Sequence, residues 1–199
     1  MARMIRRRKQ SRRSARLDFA AIEVVGGLLP TDVIAQIAAG DASEQSDDSY
    51  GVPKGLKLRD EIARYYQIAH AHWESFEVSR QSNASAPTGF VQNLLTECFG
   101  FKTLEKSTKK VIAERQFPVN FSAEYGRIPL IIAPSSPPEN RKPGIDEALT
   151  QFGDDTRRRS ATQLLQEYLN ADEDALWGIA SDGSTLRILR DNASLTRPA

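Results

Sequence analysis

The fold of this chain is decided by a stretch in its last third, where a helical pattern leads into two short apolar segments. The stretch comprises Gln166-Glu167-Tyr168-Leu169-Asn170, Leu176-Trp177-Gly178-Ile179-Ala180-Ser181-Asp182-Gly183 and Leu186-Arg187-Ile188-Leu189-Arg190-Asp191. Asp-Gly between two apolar segments is among the strongest local signals for a β-hairpin. The stretch therefore predicts a helix followed by a hairpin of residues 176–181 and 185–190, with a two-residue turn at Asp182-Gly183.

A capping box just upstream predicts where that helix begins. Ser160 and Gln163 have the spacing at which each side chain can satisfy a backbone N–H at the helix start, so we expect a helix through Tyr168 and Leu169. Further upstream, β-branched runs at 110–119 and 127–133 predict strands, with Gly126 as the turn between them. The segment 128–132 is apolar on both faces, which indicates a buried or edge-limited strand.

The first half of the chain predicts helices instead. Apolar and aromatic residues recur at helical spacing between Leu58 and about Arg80: Ile62, Tyr65, Tyr66, Ala69, Trp73 and Phe76. We interpret them as core, because aromatic platforms that stack on bases usually lie on sheets or in open grooves. A second helix has an apolar side made of Phe90, Val91, Leu94, Leu95 and Cys98, and Gly100 ends it. A short helix capped by Thr31 or Asp32 ends at Gly40, with Val33, Ile34 and Ile37 facing inward.

This order of elements predicts an α/β fold, with α+β as the alternative. N-terminal helices precede a small mixed sheet, and the chain ends in a helix and a β-hairpin. A degenerate restriction-endonuclease-like fold is one form of this arrangement. We expect residues 1–16 to be a disordered basic arm and 17–199 a single globular domain, helical over about 17–101 and strand-containing over about 102–199.

The net charge of +1 conceals a strong asymmetry. Residues 1–16 hold eight basic residues and no acid, which leaves 19 basic against 26 acidic residues in the rest. Such an arm can neutralise DNA phosphates and release counterions without reading sequence. The nucleic-acid-binding residues predicted here are Arg6, Arg7, Arg8, Lys9, Arg12 and Arg13. The alternative is a solvated tail without a ligand.

A second basic run, Arg157-Arg158-Arg159, directly precedes the capped helix. Its simplest interpretation is a solvated run of charges. The functional interpretation is a second contact with phosphates that positions duplex DNA, so these three arginines join the predicted nucleic-acid-binding residues.

Cysteine and histidine are too few for most metal sites. Cys98 is the only cysteine, which excludes an internal disulfide and a cysteine-based zinc site, and a reducing cytoplasm fits best. The two histidines, His70 and His72, are two residues apart on a helix and so face away from each other. We therefore predict no metal. No apolar run is long enough to span a bilayer, so no membrane partner is expected.

The motifs of common catalytic sites are also absent from the sequence. There is neither a phosphate-binding loop nor a dinucleotide fingerprint, and we predict no catalytic residue. Nucleases of the restriction-enzyme fold hold Mg²⁺ with an Asp and a following Glu-x-Lys, and that spacing does not occur either. The alternative to a non-catalytic chain is a metal-dependent nuclease with displaced acids, for which Asp146, Glu124 and Glu114 are the candidates.

Several segments together resemble the N-terminal region of large adenine-specific DNA methyltransferases, as found in restriction–modification and DISARM-type phage-defence systems. They are Gly27-Leu28-Leu29-Pro30, Trp73-Glu74-Ser75-Phe76, Gly144-Ile145-Asp146 with Phe152-Gly153, and residues 166–199. The hairpin sequences at 176–179 and 186–191 are the most specific of these. Type I restriction subunits have a similar hairpin beside a nuclease-like sheet.

The resemblance implies that S-adenosylmethionine serves the whole protein as the methyl donor to adenine N6. That chemistry needs a Gly-rich cofactor loop and an Asn-Pro-Pro-Tyr-like tetrapeptide for the flipped base, and this sequence holds neither. The resemblance therefore implies a non-catalytic module without a cofactor. Its partners would be DNA and the methyltransferase portion or other subunits of a defence system. A purely structural protein–protein interaction domain is the further alternative.

Overall fold

The computed structural model describes residues 21–24, 28–107, 110–112, 114–135, 143–154 and 157–191. The chain divides into two compact units, residues 1–58 and 59–199. The division falls at the start of a long helix, whereas the sequence predicted a boundary after residue 16 and, within a single domain, a change from helices to strands near residue 101. The disordered arm lies outside the described residues, and the single domain over 17–199 stays a prediction.

Within the first unit, the described structure is one helix followed by turns. Helix α1, Thr31–Ala39, ends at Gly40, whose φ of 76° is the left-handed conformation that glycine adopts at helix ends. The predicted cap is wrong: Pro30 occupies the N-cap position and no side chain caps the helix. The inward face is wrong in part, because α1 has no buried residue and Ile37 is 42% exposed.

The second unit is an α/β structure built on a mixed five-stranded sheet. The sheet order is β1-β4-β5-β8-β9, so the strands follow one another in chain order. All neighbours are antiparallel except β5 and β8, which are parallel. The strands of this sheet are β1 Leu104–Lys106, β4 Phe121–Ala123, β5 Ile128–Ile132, β8 Trp177–Ser181 and β9 Leu186–Arg190.

Two apolar cores lie on opposite faces of this sheet, and the central strand β5 contributes to both. Leu130 and Ile132 belong to the core beneath helices α2 (Leu58–Ser79) and α3 (Ala86–Asn93). Ile131 and Ala133 belong to the core beneath helix α4 (Ala161–Ala171). Side chains of a strand alternate between its two faces, so an uninterrupted apolar segment is the expected sequence of a strand that is covered twice. Helix α3 spans Ala86–Asn93 and continues as a π-helical turn over Leu94–Cys98.

Helix α2, Leu58–Ser79, has the predicted bounds but only part of the predicted burial. Phe76 is 2% exposed and stacks on Phe90, with ring centroids 4.8 Å apart. In contrast, Ile62 and Tyr66 are 59% and 63% exposed. The interpretation of the whole stripe as core is therefore wrong for the N-terminal half of α2, where Tyr65 is also exposed.

Two small hairpins complete the second unit, and both differ from the sequence prediction. The run 110–119 is not one strand but a hairpin of β2, Lys110–Ile112, and β3, Arg115–Phe117. Glu114 lies in its turn with a φ of 66°. Strands β6, Leu149–Asp154, and β7, Arg157–Arg159, pair antiparallel, and the sequence analysis did not predict them.

The C-terminal helix and hairpin are confirmed, with one correction to the turn. Helix α4, Ala161–Ala171, begins with the complete capping box of Ser160 and Gln163. Strands β8 and β9 pair from Ser181 with Leu186, so their connection has four residues rather than two. Asp182 explains the longer loop, because its buried carboxylate accepts hydrogen bonds from the backbone N–H groups of Ser184 and Thr185 at 2.9 and 2.7 Å.

Candidate nucleic-acid interface

The three arginines of β7 do not share one environment. Arg157 and Arg158 are exposed, and the described part of the chain gives neither of them a salt bridge or hydrogen bond. The side chain of Arg159 is only 11% exposed, and its Nε donates to Oε1 of Glu167 at 3.0 Å. Two of the three predicted arginines therefore present charge to solvent, and the third is held against helix α4.

Glu167 is the residue that holds Arg159, and it also binds Arg115. The second carboxylate oxygen of Glu167 accepts from Nη2 of Arg115 on β3. One carboxylate on α4 thus ties together β3 and β7, which belong to two different hairpins.

A second carboxylate on the same side of the molecule holds β2. Nζ of Lys110 lies 2.6 Å from Oδ2 of Asp172, and the hydroxyl of Tyr168 donates to the same oxygen at 2.8 Å. Burial on its own would raise the pKa of Asp172, but the hydrogen bonds from Lys110 and Tyr168 outweigh it and keep the pKa below its ordinary value. Burial raises the pKa of Tyr168 to about 12.

Asp146, the first candidate acid of the nuclease hypothesis, is engaged by an arginine. Its two carboxylate oxygens accept from Nη1 and Nη2 of Arg187 at 2.6 and 2.9 Å, and the hydroxyl of Thr162 donates to Oδ1 at 2.9 Å. A bidentate guanidinium neutralises the carboxylate in a fixed geometry. Asp146 in this state ties the short 3-10 turn Gly144–Asp146 to β9 and is poorly suited to hold a cation.

The other two candidate acids lie in turns. Glu114 belongs to the β2–β3 turn and Glu124 to the β4–β5 turn, and both are exposed with positive φ values of 66° and 50°. Within the described ranges, no three side chains of His, Cys, Asp or Glu form a group that could hold a metal ion. The three candidates therefore do not converge on one site.

The paired strands β4 and β5 carry neither an acid nor a lysine. Their sequences are Phe121-Ser122-Ala123 and Ile128-Pro129-Leu130-Ile131-Ile132. Asn120, immediately before β4, uses its side-chain Oδ1 to accept a hydrogen bond from the backbone N–H of Ile132 at 2.7 Å. An amide in this place fastens one strand to the next and leaves no carboxylate oxygen for a cation.

The remaining chemically active side chains of the helices have structural contacts. Nε2 of His72 is 2.9 Å from Oε2 of Glu97, whereas His70 lies 3.5 Å from Glu74 on its own helix. Burial and the neighbouring charge of Glu97 raise the pKa of the Cys98 thiol, which disfavours the reactive thiolate. These observations agree with the sequence interpretation of Cys98 as a packing residue.

The six predicted arm residues, Arg6, Arg7, Arg8, Lys9, Arg12 and Arg13, lie outside the described residues. The sequence analysis also missed a cleft of about 350 Å³ in the second unit, to which Lys106, Asn120 and Gln151 contribute. These residues belong to the end of β1, the segment before β4, and β6. No motif links them, because only the tertiary structure brings them together.

In the described residues, no helix has both the length and the apolarity to cross a membrane. No family model matches the chain, and neither does any curated protein or solved structure.

Proposed function

We propose that this chain is a non-catalytic N-terminal module of an adenine-specific DNA methyltransferase from a bacterial restriction–modification or phage-defence system. It contacts DNA phosphates and docks to the methyltransferase portion or to partner subunits, in a reducing cytoplasm. The observation that carries the proposal is the C-terminal sequence that forms α4, β8 and β9, since this is the most specific part of the resemblance. S-adenosylmethionine is assigned to the methyltransferase portion and not to these residues.

Exposed arginines support the contact with DNA. Arg157 and Arg158 have no acidic partner in the described residues, and the arm adds eight basic residues without an acid. Basic side chains without acidic partners strengthen DNA binding, because they neutralise phosphates and release the counterions bound to them. Arg159 contributes less than the sequence analysis expected, because it already binds Glu167.

The structure favours a non-catalytic module over a nuclease on chemical grounds. A nuclease of the restriction-enzyme type needs carboxylates and a lysine on neighbouring strands. Here β4 and β5 provide only apolar residues and a serine, with Asn120 beside them, and Asp146 is neutralised by Arg187. This pattern suits a sheet that serves as a scaffold.

A salt series of duplex DNA binding tests the proposal. The full chain should bind mixed-sequence duplex, and the logarithm of its binding constant should fall linearly with the logarithm of the salt concentration. The steepness of that slope should decrease by about one for each phosphate contact removed. We expect a reduction of about two in a chain with Arg157→Gln and Arg158→Gln. A larger reduction is expected when Arg6, Arg7, Arg8, Lys9, Arg12 and Arg13 are all replaced by Gln in the full-length chain.

Arg127→Gln is the matched control, because Arg127 is an exposed arginine in the β4–β5 turn and is not assigned to DNA. Tight binding that is insensitive to salt would contradict phosphate contact. If neither the full chain nor its variants bound DNA, the remaining interpretation would be a protein–protein interaction domain. If the full chain cleaved DNA in the presence of Mg²⁺ and Asp146→Asn abolished the cleavage, the nuclease hypothesis would replace this proposal.

A further inference from the structure

The cleft in the second unit combines a buried apolar floor with a polar rim. Four apolar residues that line the cleft are each at most 6% exposed, and we call them its floor: Val119, Phe121, Ile132 and Phe152. Phe121 and Ile132 belong to one sheet core and Val119 and Phe152 to the other, so residues of both cores line the cleft. An apolar surface of this kind favours a flat ring over a bare anion.

The rim consists of groups that donate hydrogen bonds: Thr88, Lys106, Ser107, Asn120 and Gln151. Among the described lining residues there is no acid, and Lys106 provides the only charge. Two of the five groups are side-chain amides: that of Gln151 can pair with the hydrogen-bonding edge of adenine, and that of Asn120 adds an N–H donor. The rim therefore fits a ligand that has both a polar ring edge and one negative charge.

Asn120 is fixed in place before any ligand arrives. Its backbone N–H donates to Leu130 at 2.9 Å, its carbonyl accepts from Ser107 at 3.0 Å, and its Oδ1 accepts from Ile132 at 2.7 Å. The side-chain amide nitrogen is the donor that these contacts leave available. A donor held in this way loses little conformational entropy on binding, which favours a specific ligand.

We infer that this cleft binds a single nucleotide, with its ring against the floor and its phosphate beside Lys106. A volume of about 350 Å³ is at the lower end for ligand sites and accommodates one ring system with a substituent. The inference goes beyond the function proposed above, because none of the arginines assigned to DNA lines the cleft. The nucleotide is either free in solution or an unpaired residue of a DNA strand, and the cleft would recognise both through the same contacts.

Titration of the ¹⁵N-labelled full chain with dAMP, followed by NMR, tests the inference. We expect saturable shifts of the side-chain amides of Asn120 and Gln151. Lys106→Gln should weaken dAMP binding by about tenfold, the usual effect of losing one charged hydrogen bond. Lys102→Gln is the matched control, since Lys102 is an exposed lysine outside the cleft and its loss should leave the affinity unchanged.

Deoxyadenosine and inorganic phosphate separate the two halves of the ligand. Deoxyadenosine should bind more weakly than dAMP, and Gln151→Leu should weaken its binding further, as followed by the shift of the Asn120 side-chain amide. A 5′-phosphorylated trideoxyadenylate that shifts the same groups at lower concentration would identify a DNA strand as the source, and equal affinity would identify the free nucleotide. Inorganic phosphate binding as tightly as dAMP, or no saturable shift with any probe, would overturn the inference.

Discussion

The two faces of the five-stranded sheet are covered by different kinds of interaction. On one face, α4 is fixed by its capping box and by Glu167 and Asp172, which bind cations from both small hairpins. On the other face, the contacts are aromatic: Phe76 lies 4.8 Å from Phe90 and 5.4 Å from Trp73 between ring centroids. Changes of volume should therefore be costly in the cores on both faces, whereas changes of charge or pH should affect the α4 face most.

The largest effect should follow from removing an aromatic ring. Phe76→Ala leaves a cavity between α2 and α3, and we expect it to lower the free energy of unfolding by about 3–5 kcal/mol. Denaturant unfolding measures the change. Tyr66→Ala is the control on the same helix, because Tyr66 is 63% exposed and its loss should change stability by no more than about 0.5 kcal/mol. Equal effects of the two substitutions would contradict the division of α2 into a buried and an exposed half.

Asp172 should make the α4 face sensitive to acid. The pKa of Asp172 is lower in the folded state than in the unfolded state, where it is about 4. Its contribution to the free energy of unfolding is therefore complete above about pH 4 and is lost as the pH falls through the folded-state pKa. At pH 7, Asp172→Asn should lower the free energy of unfolding by about 1–2 kcal/mol. The loss is limited because Lys110 is partly exposed and solvent screens the ion pair.

Unfolding at several pH values measures this contribution. The difference between the wild type and Asp172→Asn should shrink below about pH 4. Asp174→Asn, two residues further on and exposed, is the control and should change the free energy of unfolding at pH 7 by no more than about 0.5 kcal/mol. A gap between wild type and Asp172→Asn that stays constant down to pH 2 would argue against a lowered pKa.

A smaller effect is expected at the start of α4. Ser160→Ala removes the hydroxyl that accepts from the N–H of Gln163 at 3.1 Å and should cost about 1 kcal/mol. Ser75→Ala, in the interior of α2 on an exposed position, should be neutral or slightly stabilising because alanine favours the helix. Thermal or denaturant unfolding distinguishes the two serines, and similar losses at both would mean that the cap has no special role.

The smallest effects on stability should come from the exposed arginines of β7. Arg157→Gln and Arg158→Gln should each change the free energy of unfolding by no more than about 0.5 kcal/mol. Arg159→Gln should cost more, about 1 kcal/mol, since it removes the bond to Glu167. If all three substitutions were alike in stability, the buried position of Arg159 would have no energetic consequence.

The elements that the sequence predicts correctly are those whose signals lie between residues close together in the chain. The capping box of α4 and the apolar run of β5 carry their own signals, and both elements formed where predicted. The β6–β7 hairpin was missed because its strands, Leu149–Asp154 and Arg157–Arg159, contain few β-branched or aromatic residues. Of the candidate DNA-binding residues, Arg159 could not be separated from its two neighbours by sequence, since Glu167 is eight residues away and on another element.

By itself, the sequence determined the helices, the strands of the C-terminal hairpin and the α/β class, because periodicity, capping and turn chemistry act between neighbours along the chain. Only the tertiary structure decided which half of α2 is buried, which arginines remain exposed, and that Lys106, Asn120 and Gln151 share a cleft. These properties depend on contacts between residues far apart in the chain, and such contacts are set by the order and direction of strands in the sheet.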